Sequence, residues 1–394
     1  MKSSTHSLSV VVLFVLFSTV RGTWAPAGTA YSGVLQGVST LPNGNALVAG
    51  GVNDVGNGIF MLEKNNSLSL KMSITKCKIC VMEVVKMHPD GLHGVAGGVA
   101  FLGEPVTYST SDGGNSWLPS ADIAKGFNGA VSGHDIELLP TSKKGEYAWA
   151  FISEFNSWQN GTVCTHGKVS AQCSGILISI DNGETYKNID WSGTDGPDTD
   201  AMAGAFPTED VWYIAGGLVS PESDPPGPAF KATIMKTEDA GQTFKTVFNK
   251  TAPQSHPGRG VGGMTDISCA NKDVCYAATS CFEDNCEPLY GSFLFKTENG
   301  GKTWKQIGNL FYEVIINVVE AMSEDEVILA GGGVSLFDKG HVWHTTNSGV
   351  SWKNSSLSVG QVTSLDMLPD GSAGHLAVLN AASSVSSLFR YSKD

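Results

Sequence analysis

Short apolar segments recur along the chain in pairs, and a tight polar turn joins the two members of each pair. Val38 to Leu41 precede the turn PNGN and the segment ALVAGG, and Val84 to Met87 precede HPDG and then HGVAGG. The same order returns where VILAGGG follows the turn EDE. Alternating β-branched and small residues with glycine-rich ends are typical of strands in crowded positions. The pattern predicts pairs of strands that pack near one axis.

An octapeptide recurs downstream of these pairs, with Ser or Thr at position one, Asp or Asn at three, Gly at five, Ser or Thr at seven and an aromatic residue at eight. It occurs as TSDGGNSW (Thr110 to Trp117), SIDNGETY (Ser179 to Tyr186), TEDAGQTF (Thr237 to Phe244), TENGGKTW (Thr297 to Trp304) and TTNSGVSW (Thr345 to Trp352). The position-three residues are Asp112, Asp181, Asp239, Asn299 and Asn347. A short polar side chain can accept amide hydrogen bonds from its own turn, and glycine tolerates a left-handed conformation. Each octapeptide is therefore expected to join the two outer strands of a sheet.

The strand pairs divide the chain into seven similar units, which predicts an all-β, seven-bladed β-propeller occupying residues 23 to 394 as one domain. The units are residues 35 to 72, 80 to 120, 131 to 191, 198 to 250, 260 to 310, 313 to 356 and 359 to 394. The first unit has only a degenerate octapeptide near Lys64 to Ser69, and the last ends at Tyr391 after a third strand. Thr29 to Val34 is expected to supply the missing fourth strand and close the ring.

The octapeptides, the unit length and the sevenfold count resemble the BNR/Asp-box propellers typified by photosystem II assembly and stability factors. More distantly, the octapeptide is shared with sialidases, xyloglucanases and sortilin-type receptors. The resemblance implies the fold, because the octapeptide is a device of the turn rather than of a reaction. Sialidases grip a substrate carboxylate with three arginines, whereas residues 23 to 394 contain only Arg259 and Arg390. A standard sialidase mechanism is not expected.

The first 22 residues predict a cleaved secretory leader, since Lys2 precedes an apolar run from Leu8 to Phe17 that is too short to span a bilayer. Eight cysteines follow it, and their proximity in sequence predicts four local disulfides of open connectivity. They are Cys77, Cys80, Cys164, Cys173, Cys269, Cys275, Cys281 and Cys286. The triplets at Asn65, Asn160, Asn249 and Asn354 fit glycosylation. The protein is expected to be extracellular or in the lumen of the secretory pathway.

Loss of Lys2 and Arg21 with the leader leaves 23 basic and 38 acidic residues, a formal charge of −15. This balance argues against nucleic acid and anionic membrane as partners. We expect a monomer that does not insert into membranes and that binds a protein or a glycan.

Carboxylates are expected to converge at the mouth of the central channel, where the innermost strands begin. Alignment of these strands places there Gln36, Glu83, His134, Asp135, Asp200, Thr265, Asp266 and Asn317. Glu83, Asp135, Asp200 and Asp266 are the candidates for a two-carboxylate glycosidase. The same oxygens could hold calcium, the one cofactor considered, or could simply cap strand ends and hydrate the channel.

Three long segments on the same predicted face carry candidate ligand-binding side chains. Phe155, Trp158 and Tyr290 could stack on a sugar or grip a peptide, or could anchor their own loops. Glu283 and Asp284, with His134 and Asn317 at the channel mouth, complete the candidate set. Insertions on one face of a repeat array commonly form its binding surface.

Three functions follow from these features. A secreted propeller that binds a protein or glycan without catalysis is the leading interpretation. A glycoside hydrolase or lyase using the channel-mouth carboxylates is the alternative, and a photosystem-assembly-type scaffold is the third.

Overall fold

A computed structural model describes residues 22–74, 80–100, 106–120, 130–156, 172–189, 200–218, 231–251, 263–281, 291–333, 335 and 337–393. Throughout these residues the regular structure is β-strand, and the chain forms an all-β propeller. No stretch within the described ranges forms a helix capable of crossing a membrane.

Five separate sheets each contain four antiparallel strands in sequence order. They are β6 (Cys80–Met87), β7 (Gly94–Ala100), β8 (Val106–Thr110) and β9 (Leu118–Pro119); β10 (Ala130–Leu139), β11 (Ala148–Asn156), β12 (Gln172–Ser179) and β13 (Lys187–Ile189); β14 (Asp200–Ala205), β15 (Trp212–Leu218), β16 (Lys231–Thr237) and β17 (Lys245–Thr251); β18 (Met264–Cys269), β19 (Cys275–Cys281), β20 (Gly291–Thr297) and β21 (Lys305–Tyr312); and β22 (Val314–Ala321), β23 (Val327–Gly333), β24 (Lys339–Thr345) and β25 (Lys353–Val359).

The remaining eight strands form one larger sheet that contains both ends of the described chain. They are β1 (Thr23–Pro26), β2 (Tyr31–Thr40), β3 (Ala46–Val52), β4 (Gly56–Leu62), β5 (Leu68–Ser73), β26 (Gln361–Met367), β27 (Ala373–Asn380) and β28 (Val385–Ser392). Its order is β26-β27-β28-β2-β3-β4-β5, with β1 also paired to β28. The contact between β28 and β2 is brief, because only Tyr31 and Ser32 pair across it.

Two N-terminal segments pair with β28: Tyr31 and Ser32, within the predicted segment Thr29 to Val34, and β1, which the sequence analysis did not predict. Thr23 pairs with Ser392 and Pro26 with Phe389, so four residues directly after Gly22 lie along β28. Trp24 packs against Tyr391 with ring centroids 5.3 Å apart. From Gly33 onwards, β2 pairs with β3 instead. The prediction for Thr29 to Val34 is therefore confirmed only at Tyr31 and Ser32, and the longer pairing with β28 is made by β1.

The hydrophobic core lies between neighbouring sheets. Leu47 and Ile59 from β3 and β4 pack in one cluster with Met82 and Val85 from β6. Glycine in the second strands permits this approach: a Cβ at Gly97 would lie 2.5 Å from the Phe151 ring of the next sheet. Gly97 thus allows a close contact between sheets, whereas a Cβ at Gly98 or Gly331 would meet the backbone of the first strand of its own sheet.

All five octapeptides lie in the turns between the third and fourth strands of a sheet. In the turn after β16, Thr237 Oγ1 donates to Asp239 Oδ1 at 2.7 Å and accepts from the amide of Gly241 at 3.0 Å. Asp239 Oδ1 also accepts from the amide of Thr243 at 2.8 Å. The other four turns repeat these bonds. The position-five glycine has a φ of +78° to +82° in every case, a conformation that a side chain would strain.

Replacing Thr237 with valine should destabilise the protein by about 2 kcal/mol, because the buried hydroxyl makes three hydrogen bonds of the turn and the amide of Gly241 would lose its acceptor. Urea denaturation measures this loss. Thr246→Val, on the adjacent outer strand β17, is the matched control and should change stability by less than about 0.5 kcal/mol. Equal effects of the two substitutions would contradict a special role for the turn hydroxyl.

Candidate functional site

One cavity of about 600 Å³ runs along the axis of the propeller. Its lining comes from seven strands, which we call the inner strands: β2, β6, β10, β14, β18, β22 and β26. Five of them begin a separate four-stranded sheet, whereas β2 and β26 lie in the eight-stranded sheet, and each is followed by a turn on the face that carries the octapeptides. We call that face the octapeptide face. The channel is therefore the place where polar side chains from all parts of the chain meet.

Every inner strand contains a β-bulge at the same place. The extra residues, which pair with nothing on the second strand, are Gln36, Glu83, His134, Met202, Thr265, Asn317 and Thr363. A bulge re-aims its side chain and increases the local twist. We call these residues the bulge ring.

Three members of the bulge ring tie neighbouring inner strands together. Thr265 Oγ1 donates to the carbonyl of Ile316 at 2.7 Å, and Asn317 Nδ2 donates to that of Val362 at 2.8 Å. Thr363 Oγ1 donates to the carbonyl of Leu35 at 3.3 Å. In each case the acceptor directly precedes the bulge of the next inner strand. The predicted binding residue Asn317 thus lies in the channel as part of an inter-strand contact.

The two candidate catalytic residues Asp135 and Asp266 lie one position after a bulge and accept backbone amides of the next inner strand. Asp135 Oδ2 accepts from Gly204 at 3.1 Å, and Asp266 Oδ2 accepts from Val319 at 2.6 Å. Ser364, at the equivalent position of β26, accepts from Val38 at 3.1 Å. A serine does the same task as the aspartates, so this position requires an acceptor rather than a carboxylate.

A second set of channel residues, three positions after each bulge, contains the most strongly interacting charges. Lys86 Nζ lies 3.1 Å from Asp366 Oδ1 and 3.5 Å from Glu137 Oε1. Burial lowers the pKa of Lys86, but the charges of Glu137, Asp366 and Glu320 outweigh it and hold this pKa well above its usual value. Lys86 therefore braces the channel as an ammonium between carboxylates of two other inner strands.

The sequence analysis compared only the starts of the predicted inner strands. It therefore missed Lys86, Glu137, Glu320 and Asp366. Side chains alternate along a strand, so residues one and three positions after a bulge face the same side. Counting from each bulge would have placed these four residues in the channel. The signal was present, but it depends on knowing that every inner strand carries the irregularity.

The remaining predicted site residues divide into two groups. Glu83 lies in the channel lining. The side chains of His134, Phe155 and Asp200 lie outside the described residues, as do Trp158, Glu283, Asp284 and Tyr290. Among the residues with described side chains, no three His, Cys, Asp or Glu residues are grouped so as to hold a metal ion.

One disulfide, Cys269 to Cys275, joins β18 to β19 at their turn. It is one of the local pairings that cysteine proximity suggested. The side chains of the other six cysteines lie outside the described residues.

A continuous polar network connects the channel to the outer surface where the two chain ends meet. Arg390 Nε donates to His375 Nε2 at 3.1 Å, which leaves the proton on His375 Nδ1 facing Thr40 Oγ1 at 3.1 Å. Thr40 donates its hydroxyl to the Asp366 carbonyl and its amide to the Asp366 carboxylate. Burial, and then the charge of Arg390, lower the pKa of His375 to about 3. The imidazole therefore stays neutral within this network of Arg390, His375, Thr40 and Asp366, which we call the seam.

The octapeptide face is also occupied by contacts between sheets. Lys236, beside the turn after β16, donates to the carbonyl of Gly300 at 2.9 Å and lies 5.3 Å from the centre of the Tyr213 ring. Asn182 Nδ2 donates to the carbonyl of Thr110 at 2.9 Å. These polar groups hold one octapeptide turn against its neighbour.

No family model matches the chain, and no curated protein matches it. Similar solved structures include a Dyadobacter fermentans protein of unknown function, with a TM-score of 0.52 and 10% identity over 94% of this chain and 98% of that one. A prolyl endopeptidase is similar with the same TM-score and identity, over 93% of this chain and 51% of the enzyme. The chain thus spans about half the length of that enzyme. At this identity the likeness shows the propeller fold alone.

Proposed function

We propose that the chain is a secreted, seven-bladed β-propeller that binds a protein or a glycan without catalysing a reaction on it. The observation that carries this proposal is the use made of the channel's polar groups. Asp135 and Asp266 accept amides of the next inner strand, and Thr265, Asn317 and Thr363 donate to its carbonyls. These groups stabilise the ring, so the candidate catalytic carboxylates already have a structural task.

The seven-blade count rests on the repeated bulge in seven inner strands around one cavity. The eight-stranded sheet then divides at the two-residue contact of β2 with β28. Its two halves are β26-β27-β28-β1 and β2-β3-β4-β5, each with four strands. The geometry of the octapeptide turns supports the assignment to the Asp-box type.

The ligand is expected on the face opposite the octapeptide face. The predicted loop residues Trp158 and Tyr290 belong to connections between second and third strands, which start from that opposite face. Phe337 lies on the corresponding connection between β23 and β24 with 77% of its surface exposed. A large exposed aromatic residue is a plausible anchor for a partner, since such residues dominate binding energy.

Secretion is supported by the leader, by the Cys269 to Cys275 disulfide and by the exposure of three glycosylation triplets. Asn65, Asn249 and Asn354 are all exposed to solvent. Expression with the native leader should place the protein in the medium, and peptide N-glycosidase should then increase its electrophoretic mobility. Retention in the cell without glycans would contradict this part of the proposal, and import into a plastid would favour the assembly-factor alternative.

Binding is tested with two substitutions in neighbouring connections on opposite faces. The tagged protein is screened against glycan arrays and purified secreted proteins, and the affinity of the strongest ligand is then measured. Phe337→Ala should weaken binding about tenfold or more, as expected for loss of a buried phenyl ring. Val350→Ala, in the octapeptide turn after β24 and 84% exposed, is the matched control and should leave the affinity unchanged.

Two results would overturn the proposal. Loss of binding in Val350→Ala but not in Phe337→Ala would place the ligand on the octapeptide face, contrary to the proposal. Hydrolysis of a bound glycan by the wild type, abolished in folded Asp135→Asn or Asp266→Asn, would establish the glycoside hydrolase alternative instead.

A further inference from the structure

The channel holds far more acidic than basic groups. Its described lining contains six carboxyl groups, namely Glu83 on β6, Asp135 and Glu137 on β10, Asp266 on β18, Glu320 on β22 and Asp366 on β26. Lys86 on β6 is the single basic side chain in that lining, and the described lining residues of β2 and β14 are uncharged. If all were ionised, five negative charges would remain unbalanced within about 600 Å³.

The lysine neutralises only part of this excess. It contacts Glu137 and Asp366, whereas Asp266 receives the amides of Val319 and Ile267 instead. The side chain of Glu137 keeps 34% of its surface accessible, and this surface faces the channel, which is partly open to solvent. Burial still disfavours the ionised form of these groups.

Burial and mutual repulsion raise three of the carboxyl pKa values. Burial raises the pKa of Glu137 to about 8, with Asp135, Glu320 and Asp266 adding to the rise and Lys86 opposing it. Burial and Asp135 raise the pKa of Asp266 to about 8 against the two donated amides. Burial raises the pKa of Glu320 to about 7, opposed by Lys86 and increased by Asp366 and Asp135.

We propose that the axial channel is a pH-responsive brace in which Glu137, Asp266 and Glu320 hold part of their protons at neutral pH and lose them in mildly alkaline solution, so that repulsion among the channel carboxylates then loosens the inner strands. Asp266 shows how protonation and the packing of the inner strands are coupled, because its carboxyl group also forms the contact between β18 and β22. Ionisation there adds repulsion from Asp135 and Glu320, which opposes the stronger hydrogen bonds that a charged Asp266 accepts from Val319 and Ile267. This inference is independent of which face binds a ligand.

The sign of the pH dependence follows from the raised pKa values. The folded protein binds more protons than the unfolded chain between about pH 4.5 and pH 8, so stability is greatest at the acidic end and falls as the pH rises. This is opposite to the behaviour of salt-bridged carboxylates, which lose stability as the pH falls.

The proton count on unfolding tests the proposal directly. Urea unfolding of the wild type at pH 7 in weak buffer should release about two protons, measured with an indicator dye. Asp266→Asn should release about one proton fewer, and Glu320→Gln about half a proton fewer. Glu313→Gln, the same substitution at an exposed position near Glu320 in sequence, is the control and should match the wild type.

Melting temperatures from pH 5.5 to 8.5 provide the second measurement. The wild type should melt at lower temperature as the pH rises, and Glu320→Gln should reduce this fall while Glu313→Gln leaves it unchanged. Glu320→Gln keeps the proposal testable even if Asp266→Asn does not fold, since Asp266 accepts two amides. No proton release from the wild type, or equal release from Glu320→Gln and the wild type, would overturn the proposal.

Discussion

Replacing Arg390 with alanine is expected to lower the free energy of unfolding by about 3 kcal/mol, because a partly buried network of four hydrogen bonds loses its charged donor. The guanidinium donates to His375 Nε2, to Asn66 Oδ1 and to the carbonyls of Glu63 and Lys64. These bonds join β28 to the turn between β4 and β5, and they orient the imidazole that contacts Thr40. Urea denaturation at pH 7.5 measures the loss.

Lys339→Ala, which removes an exposed cation, is the control for the Arg390 substitution and should change stability by less than about 0.5 kcal/mol. A pH series adds a second readout, because a His375 pKa lowered to about 3 stabilises the fold above about pH 6.5 and this contribution disappears as the pH falls towards 3. An Arg390→Ala protein as stable as the control would show that the seam does not hold the ring closed.

Lys86→Met should be the most damaging single change in the channel at alkaline pH, with a loss of about 3 to 5 kcal/mol at pH 8.5. The substitution keeps an unbranched side chain of similar length but leaves Glu137 and Asp366 without their counter-charge. At pH 5.5 the loss should be smaller, because Glu137 and Glu320 are then protonated in the folded protein. Chemical denaturation at the two pH values gives the comparison.

The double variant Lys86→Met/Glu137→Gln separates charge from packing. If the lysine acts through charge, removal of one carboxylate should restore part of the stability at pH 8.5 and have little effect at pH 5.5. A loss for Lys86→Met that is the same at both pH values would show that the aliphatic stem, and not the ammonium, supports the channel.

Much of the architecture could be predicted because the repeated signals are local. The octapeptide specifies its turn through hydrogen bonds within eight residues, so Thr237, Asp239 and Gly241 carry the same information in sequence and in structure. The apolar segments likewise gave the positions of the strand pairs. Local patterns do not, however, report how sheets join, and the pairing of β1 with β28 had no sequence signal.

The sequence analysis did not predict β1 because its pairing with β28 is not local. Thr23 to Pro26 has no alternating pattern of its own, and its partner lies at the opposite end of the chain. Thr29 to Val34 looked more strand-like because it is the beginning of β2. Only the register with β28 distinguishes the two segments.

The channel was predicted in part. Counting from the strand starts found Glu83, Asp135 and Asp266 but not Lys86 or Asp366, because the latter two lie deeper along the inner strands. The task of Asp135 was equally hidden in the sequence. In the sequence, an aspartate that accepts a neighbouring amide cannot be told from a catalytic aspartate. The position of the neighbouring strand is needed to distinguish the two roles.

The pairing of β1 with β28 has a consequence for how the protein matures. β1 finds its partner only after β28 has been synthesised, so this pairing cannot form before residue 392 has left the ribosome. Until then β28 and the hydrogen bonds from Arg390 to the turn between β4 and β5 do not exist. The earlier sheets must therefore persist as an open arc. The final association joins residues more than 350 positions apart in the chain, and such distant contacts are the slowest to form.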